Sequence, residues 1–411
     1  MIFDDVFLQL TKRQGPGFGV GLEGLSQILT RLSSPQNSFQ MIHVAGTSGK
    51  GSVCALLAHA LCGAGYKTGL FVSPHLIHPT ERISVNGIQI SCNDFMRCVQ
   101  TVLAVEENPL NFFEILTASA FIYFAEQKAE YVVLETGLGG RKDPTNVCTP
   151  RVCAITSVGL DHTQILGETL EQIATEKAGI IKPNVPVFCG SVPPQARLVI
   201  ENTAHHQKAP IYFVKEGDPF SLKDIDWRSG NLLLQKGVEI FPLHLLGKFQ
   251  LANACLVWQL TRFLNVPEQA VFHAFDTVQI PGRFEIIQTT QNTFILDGAH
   301  NPQAVQGLLE FWHQTPYAKN AVLVCGFSKD KNFKTMFELL APYFKQIILT
   351  VSPNSRAAGW EELNAFLAQP GVVFEADLSH AVRRASEIAP CVLCTGSFYI
   401  VGECRKALKT I

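Results

Sequence analysis

From about Phe39 onward, short apolar runs are separated by longer stretches with helical spacing. QMIHVAG, TGLFVS, YVVLETG, VCAITSVG and VPVFCG are each compact and closed by Gly or Ser, and most are rich in Val or Ile. That pattern predicts buried strands of a parallel sheet. Between them, Ser52–Cys62, Phe112–Gln127 and Leu170–Ala178 have the length and composition of crossover helices. The texture changes over Phe213–Leu246, where FSLKD, NLLLQKG and VEIFPLH are separated by Gly, Asp and Pro, which predicts a β-rich insertion. After Pro281-Gly282 the alternation resumes with FEII, TFILDG, AVLVCG, QIILTV and CVLCTG, around helical stretches such as Phe333–Leu340 and Ala381–Ile388. The expected fold class is therefore α/β, with one domain over 1–282 carrying the insertion near 213–246, and a smaller Rossmann-like α/β domain over 283–411.

Composition narrows the classes of function. A chain of 411 residues is long enough for two to three domains, and 47% hydrophobic with 17% charged residues is globular usage rather than disordered or fibrous. Lys and Arg number 33 against 35 Asp and Glu, a formal charge of -2. No global field then favours nucleic acid or an anionic membrane, and an anionic ligand has to be held locally. The start, MIFDDVFLQLTKRQ, has Asp4 and Asp5 where an export signal needs a basic segment and an unbroken apolar one. The greasy region Val53–Val72 is cut by His59, the Gly63–Gly65 turn and Lys67. A soluble cytoplasmic protein is expected. The 12 Cys are dilute and lack framework spacing, which suits reduced thiols, and Cys391 and Cys394 lie in a run that reads as a buried strand. Aromatic residues, 9% of the chain, form no clear exposed stripe, so a monomer is expected.

The sharpest local signal is Gly46-Thr47-Ser48-Gly49-Lys50-Gly51-Ser52, between the run QMIHVA and a helix. Small residues there let backbone N–H groups approach an anion, the helix N-terminus adds its dipole, and Lys50 adds a point charge. The first domain is therefore expected to be a P-loop-type parallel sheet flanked by helices. The spacing departs from a strict Walker A, which needs Gly where Val44 stands and a hydroxyl where Gly51 stands. A second signal is ETGLGG at Glu135–Gly140, followed by Arg141, Asp143 and Asn146, and a third is TSVGLDH at Thr156–His162, each after an apolar run. Glu135 and His162 at adjacent strand ends would give a divalent ion one carboxylate and one imidazole. Alone, Glu135 could equally be a helix cap or a solvent-facing residue.

These residues, with FVSPHL and ERISVNG, LDHTQILG, EKAGI, PGRF and LDGAHNP in this order, resemble the folylpolyglutamate synthases and dihydrofolate synthases of the Mur ligase superfamily over nearly the whole chain. The resemblance implies an ATP-dependent amide ligase: ATP phosphorylates a substrate carboxylate, and glutamate attacks the acyl phosphate. It implies small-molecule partners (ATP, L-glutamate, dihydropteroate and folates), Mg²⁺ with K⁺ as a further cation, and two domains closing over ATP. Thr47, Ser48, Gly49, Lys50, Gly51 and Ser52 match the phosphate contacts, and Ser73, Glu135 and His162 match the Mg²⁺ ligands. Lys177 in EKAGI matches a carbamylated lysine, although a cation in the last turn of a helix also suits the dipole. Asn253 matches an adenine-side contact, Arg283 a γ-phosphate contact and Asp297 a nucleotide contact from the second domain.

His300 and Ser397 match glutamate-side residues, with ordinary helix capping as the other reading. The pterin side is implied at Gly19, Val20, Gly21 and Leu22, at Asn111, Phe112, Phe113 and Glu114, and at Lys142, Asp143 and Pro144. Phe112 and Phe113 could stack on a flat ring or belong to the core. Ser48 replaces the Asn that relatives usually carry, and GRKDPTN replaces the commoner GRLDATN. The Gly-Gly-Arg141 run resembles the bifunctional bacterial branch. Two other possibilities stand beside this one: a Mur-type ligase acting on a cell-wall precursor, and a non-catalytic ATP-switch binding protein.

Overall fold

The computed structural model describes residues 3–13, 19–352 and 356–408. Its five central apolar runs fold as strands because they are covered on both faces: in β1 (Gln40–Ala45) every residue after Gln40 is buried, as are all of β5 (Tyr131–Glu135) and β6 (Val152–Ile155). With β2 (Thr68–Phe71), β3 (Ile83–Val85), β4 (Ile88–Gln89), β7 (Val187–Cys189) and β8 (Ile211–Phe213), they form one sheet in the order β4-β3-β2-β5-β1-β6-β7-β8. Pairing is parallel from β2 to β8, as a sheet built from crossover helices requires. The β3–β4 hairpin is antiparallel and was not anticipated. Its signal is Asn86-Gly87 between ISV and IQI, with both residues at positive φ, 48° and 76°.

The helix Phe112–Glu126 is apolar around nearly its whole circumference and is buried from Phe112 through Phe124 apart from the half-buried Phe113. It lies in a core with Leu25 and Leu29 of the helix Gly21–Arg31, and with Phe95 and Val99 of the helix Cys92–Ala104. The helix Lys50–Gly63 is likewise apolar all round. It packs on the helix Glu268–Thr277, where Gly63 lets Ala270 come close. A helix of this kind is stable only inside a layered domain.

The chain divides into two units, 1–221 with 251–278, and 222–250 with 279–411. The β-rich insertion, expected inside the first domain, therefore groups with the C-terminal unit. Its strands β9 (Ser221–Asp226), β10 (Asn231–Lys236) and β11 (Glu239–Leu243) make a separate three-stranded sheet. The physical reason is Trp227, whose ring meets Phe311 at 5.3 Å and Phe284 at 6.5 Å. The Tyr317 hydroxyl also donates to the Trp227 carbonyl at 3.3 Å, and Lys248 pairs with Glu310.

The second unit's main sheet contains β12 (Glu285–Gln288), β13 (Thr293–Leu296), β14 (Ala321–Cys325), β15 (Ile347–Leu349), β16 (Val372–Phe374) and β17 (Cys391–Thr395). The order is β12-β13-β17-β14-β15-β16, parallel except at the β12 edge. Cys391 and Cys394 are buried in β17 as expected of a strand, and the cysteines of the described residues are free thiols.

Truncating Phe121, which is fully buried in the first core, should cost about 3–5 kcal/mol as Phe121→Ala. The expected readout is a lower urea midpoint for the first unit at little-changed slope. An unmoved midpoint would show that the ring contributes little to that core.

Candidate active site

The glycine turn after β1 is held open by its neighbour in the sheet. Thr156 and Ser157, just beyond β6, both donate hydroxyls to the Ser48 carbonyl, at 2.6 and 3.0 Å. The Ser48 N–H donates back to Ser157 Oγ at 2.9 Å, and the Thr47 N–H to the Ser157 carbonyl at 2.9 Å. Thr47 Oγ1 accepts from the Gly159 N–H at 3.0 Å. Two positions require glycine. At Gly46, with φ 154°, a Cβ would lie 1.9 Å from Thr156 Oγ1, and at Gly49, with φ 88°, 2.4 Å from Asn253 Oδ1. Gly49 caps the helix Lys50–Gly63 without a side-chain hydrogen bond, so the first-turn amides face the turn with the helix dipole behind them. Lys50 Nζ folds over the turn and donates to the Gly46 carbonyl at 2.9 Å.

Glu135 ends β5 and is buried, and its Oε2 accepts from the Ser73 N–H at 3.0 Å. A Cβ at Gly51 would stand 3.6 Å from the same oxygen, so the carboxylate faces the first helical turn. Glu135 and His162 do not occupy adjacent strand ends, because β1 runs between β5 and β6. Glu135 ends β5, and His162 lies in the segment that follows β6, the strand on the other side of β1. His162 is in the left-handed region at φ 49°, opens the short helix Thr163–Leu166, and has Asp161 Oδ1 3.9 Å from its Nε2.

Among the described residues no group of three or more His, Cys, Asp or Glu side chains could hold a metal ion alone. The donor set still fits Mg²⁺ brought in with a nucleotide, since that ion retains waters and takes one or two carboxylates plus phosphate oxygens.

Lys177 is buried in the last turn of the helix Leu170–Ala178. Burial first, and the charge of Lys50 second, hold its amine down to about 7, with Asp161 pulling the other way. Lys50, Asp161 and Lys177 thus share one electrostatic neighbourhood. Asn253, expected on the adenine side, has its amide beside Gly49 in the glycine turn.

On the other side of the sheet, the expected substrate loops meet, but their polar atoms have structural partners. Asn111 Oδ1 accepts from the Phe113 and Glu114 N–H groups. The Glu114 carboxylate accepts from the N–H groups of Val20, Gly21 and Asn111 at 2.9–3.2 Å. Asn111 thus caps its own helix, while Glu114 ties the 19–22 segment to it. Phe112 belongs to the core, while Phe113 lies against Gly137, where a Cβ would be 2.6 Å from its ring.

Asp143 is buried and accepts from the N–H groups of Leu138 and Thr145 at 2.8 and 3.0 Å. Burial raises its pKa against those hydrogen bonds. The Thr145 hydroxyl donates to Asp143 and accepts from His43 Nε2 at 2.7 Å. Burial, then Lys182, holds His43 down to about 3, so it is neutral. Lys142 is exposed and Pro144 half-buried at the rim.

His43 was missed, and Thr156, Ser157 and Asp161 were read only as part of the run leading to His162; the hydroxyl pair right after an apolar run is the signal that could have given the first two a role of their own. Arg82 was missed as well. It is buried, donates Nε to His75 Nδ1 at 2.8 Å and stands 5.5 Å from the Phe112 ring.

In the second unit, the turn carrying Arg283 is clipped to the loop after β13. The Gly298 N–H donates to the Gly282 carbonyl at 2.8 Å, and the Phe284 N–H to Asp297 Oδ2 at 2.9 Å. Asp297 Oδ1 accepts from the Ala299 N–H at 2.9 Å, so both oxygens, expected to meet a nucleotide, already serve backbone amides. Burial raises its pKa, and the Arg283 charge opposes that shift. Arg283 stands over the Phe398 ring at 4.5 Å. His300 Nδ1 is 2.9 Å from the Gly298 carbonyl. Ser397 is buried, and its Oγ accepts from the Ile400 N–H at 3.1 Å, capping the helix Phe398–Ala407.

Residues 44–260 match the Mur ligase middle domain and residues 282–398 the glutamate ligase domain of Mur ligases. The dihydrofolate synthase/folylpolyglutamate synthase of Bacillus subtilis is 35% identical, over 95% of this chain and 96% of its own. Escherichia coli FolC in complex with DHPP and ADP superposes with a TM-score of 0.87 at 28% identity, over 100% of this chain and 98% of the other. The bifunctional folylpolyglutamate synthase/dihydrofolate synthase of Yersinia pestis, complexed with AMPPNP and a Mn ion, gives 0.85 at 28%, over 100% and 98%. The chain belongs to the Mur ligase superfamily and, within it, to the dihydrofolate synthase/folylpolyglutamate synthase family.

Proposed function

We propose that the protein is an ATP-dependent ligase that joins L-glutamate to 7,8-dihydropteroate, giving dihydrofolate, and adds further glutamates to folates. The observation that carries this is the 46–52 turn, pinned open at a helix start with Lys50 above it and the buried Glu135 facing its first turn. ATP gives its γ-phosphoryl group to the substrate carboxylate. The glutamate amine then attacks the acyl carbon and loses a proton, and inorganic phosphate leaves with the C–O bonding pair.

In this scheme the first-turn amides and Lys50 bind phosphate oxygens, the ammonium exchanging its bond to Gly46 for one to the nucleotide. Glu135, Ser73 and His162 would hold Mg²⁺, with K⁺ as a further cation. Bound there, Mg²⁺ supplies charge neutralisation on the transferring phosphate. Arg283 stabilises the charge that develops as phosphate transfers. His300 and Ser397 face the incoming glutamate. The 19–22, 111–114 and 142–144 segments shape the pterin pocket, with Glu114 and Asp143 acting as its frame. Lys177 carries a carbamate, formed as its neutral amine attacks CO₂ and releases a proton. The enzyme acts as a cytoplasmic monomer on small molecules alone. Among the described residues no helix is long and apolar enough to cross a membrane.

Incubation with ATP, Mg²⁺, dihydropteroate and labelled glutamate should yield ADP and amide product in equal amounts; ADP without amide would overturn the ligase assignment. Lys50→Ala should raise the KM for ATP and lower turnover by about a hundredfold or more, and near-normal ADP formation would remove Lys50 from the phosphate site. Since the Lys177 amine titrates near 7, its neutral, CO₂-reactive fraction grows as pH rises. A carbonyl ¹³C signal from ¹³C-bicarbonate should therefore increase between about pH 6 and 8 and vanish in Lys177→Ala. No signal at any pH would dismiss the carbamate.

A further inference from the structure

Arg283 is fixed at its backbone and barely held at its tip. The turn that bears it is clipped by Gly298 N–H to Gly282, by Phe284 N–H to Asp297, and by Glu285, which accepts from the Gly282 N–H at 2.9 Å and from Arg405 Nε at 2.9 Å. Among the described residues the guanidinium itself makes no side-chain hydrogen bond or ion pair. Asp297 attracts it, but the carboxylate oxygens are taken by the Phe284 and Ala299 amides. The contact that remains is the face of Phe398, 4.5 Å from the guanidinium carbon. An aromatic face holds a guanidinium by its quadrupole and uses none of the in-plane N–H donors, so they stay available for a phosphate.

The ring is itself set in place. Phe398 is the first residue of the helix that Ser397 caps. Gly298 makes room for it, since a Cβ there would lie 2.5 Å from the ring, and the His300 ring tilts against it at 5.4 Å.

We propose that Phe398 is a positioning residue for phosphoryl transfer: its ring face holds the Arg283 guanidinium in its working orientation while leaving the hydrogen-bond donors uncommitted. This rests on Arg283 acting at the transferred phosphate, as proposed above. Phe398 touches no reacting atom; it acts through Arg283, and Gly298 is the glycine that admits the ring.

Replacing Phe398 with 4-fluoro-, 3,5-difluoro- and 3,4,5-trifluorophenylalanine weakens the ring quadrupole in steps at nearly constant shape. Single-turnover ADP formation should fall stepwise, by about three- to tenfold across the series, with the KM for ATP and the Tm little changed. Phe398→Leu, which keeps apolar bulk without a π face, should match the slow end. In an Arg283→Ala background the series should be flat.

A flat series in the parent enzyme, while Arg283→Ala cuts single-turnover ADP formation severely but measurably, overturns the role of Phe398 and leaves Arg283 in place. The same slope with and without Arg283 also overturns it, because the ring would then act by packing alone. Full turnover in Arg283→Ala overturns the assignment of Arg283 itself, and the inference with it.

Discussion

The hydrogen bonds that Thr156 and Ser157 make to the Ser48 carbonyl are the interaction on which the first unit depends. A chain with a formal charge of -2 cannot attract a polyanion at long range, so it has to present aligned amides at short range. Such a turn is unstable by itself, with glycines at positive φ and helix amides that lack intrahelical partners. The sheet supplies the missing support, because β6 lies directly beside β1 and ends at the same level. Burying the strands on both faces is thus what brings the hydroxyl pair to the turn.

The two units use a common device for placing charge. In each, a buried carboxylate is engaged by backbone amides, and a cation stands nearby. Glu135 accepts from Ser73 and faces the first turn beyond Lys50; Asp297 accepts from Phe284 and Ala299 near Arg283. An isolated buried carboxylate would be costly, and amide donors lower that cost without neutralising the charge. His43 extends the theme: a neutral imidazole supports Asp143 through Thr145 at the base of the 137–147 loop.

Much of this was legible in the sequence where one physical signal dominated. Unbroken apolar runs gave the central parallel strands, and the helices at 170–178 and 333–340 could be placed from spacing alone. The glycine turn was legible because only a few residue types can make it. Spatial order was less accessible. The interposition of β1 between Glu135 and His162 depends on strand order, which no local pattern encodes. The packing of the β-rich insertion was out of reach for a similar reason: Trp227 finds Phe284 and Phe311 far along the chain. At Glu114, Asp297 and Ser397, the backbone amides that their side chains engage became visible only in the structure.

At position 48 the division of labour between main chain and side chain is complete. The protein engages Ser48 through its amide and its carbonyl, and among the described residues its hydroxyl has no hydrogen-bond partner. Exchanging that hydroxymethyl group for another side chain would leave the anchoring untouched. Whatever that side chain meets can be retuned without dismantling the scaffold beneath it.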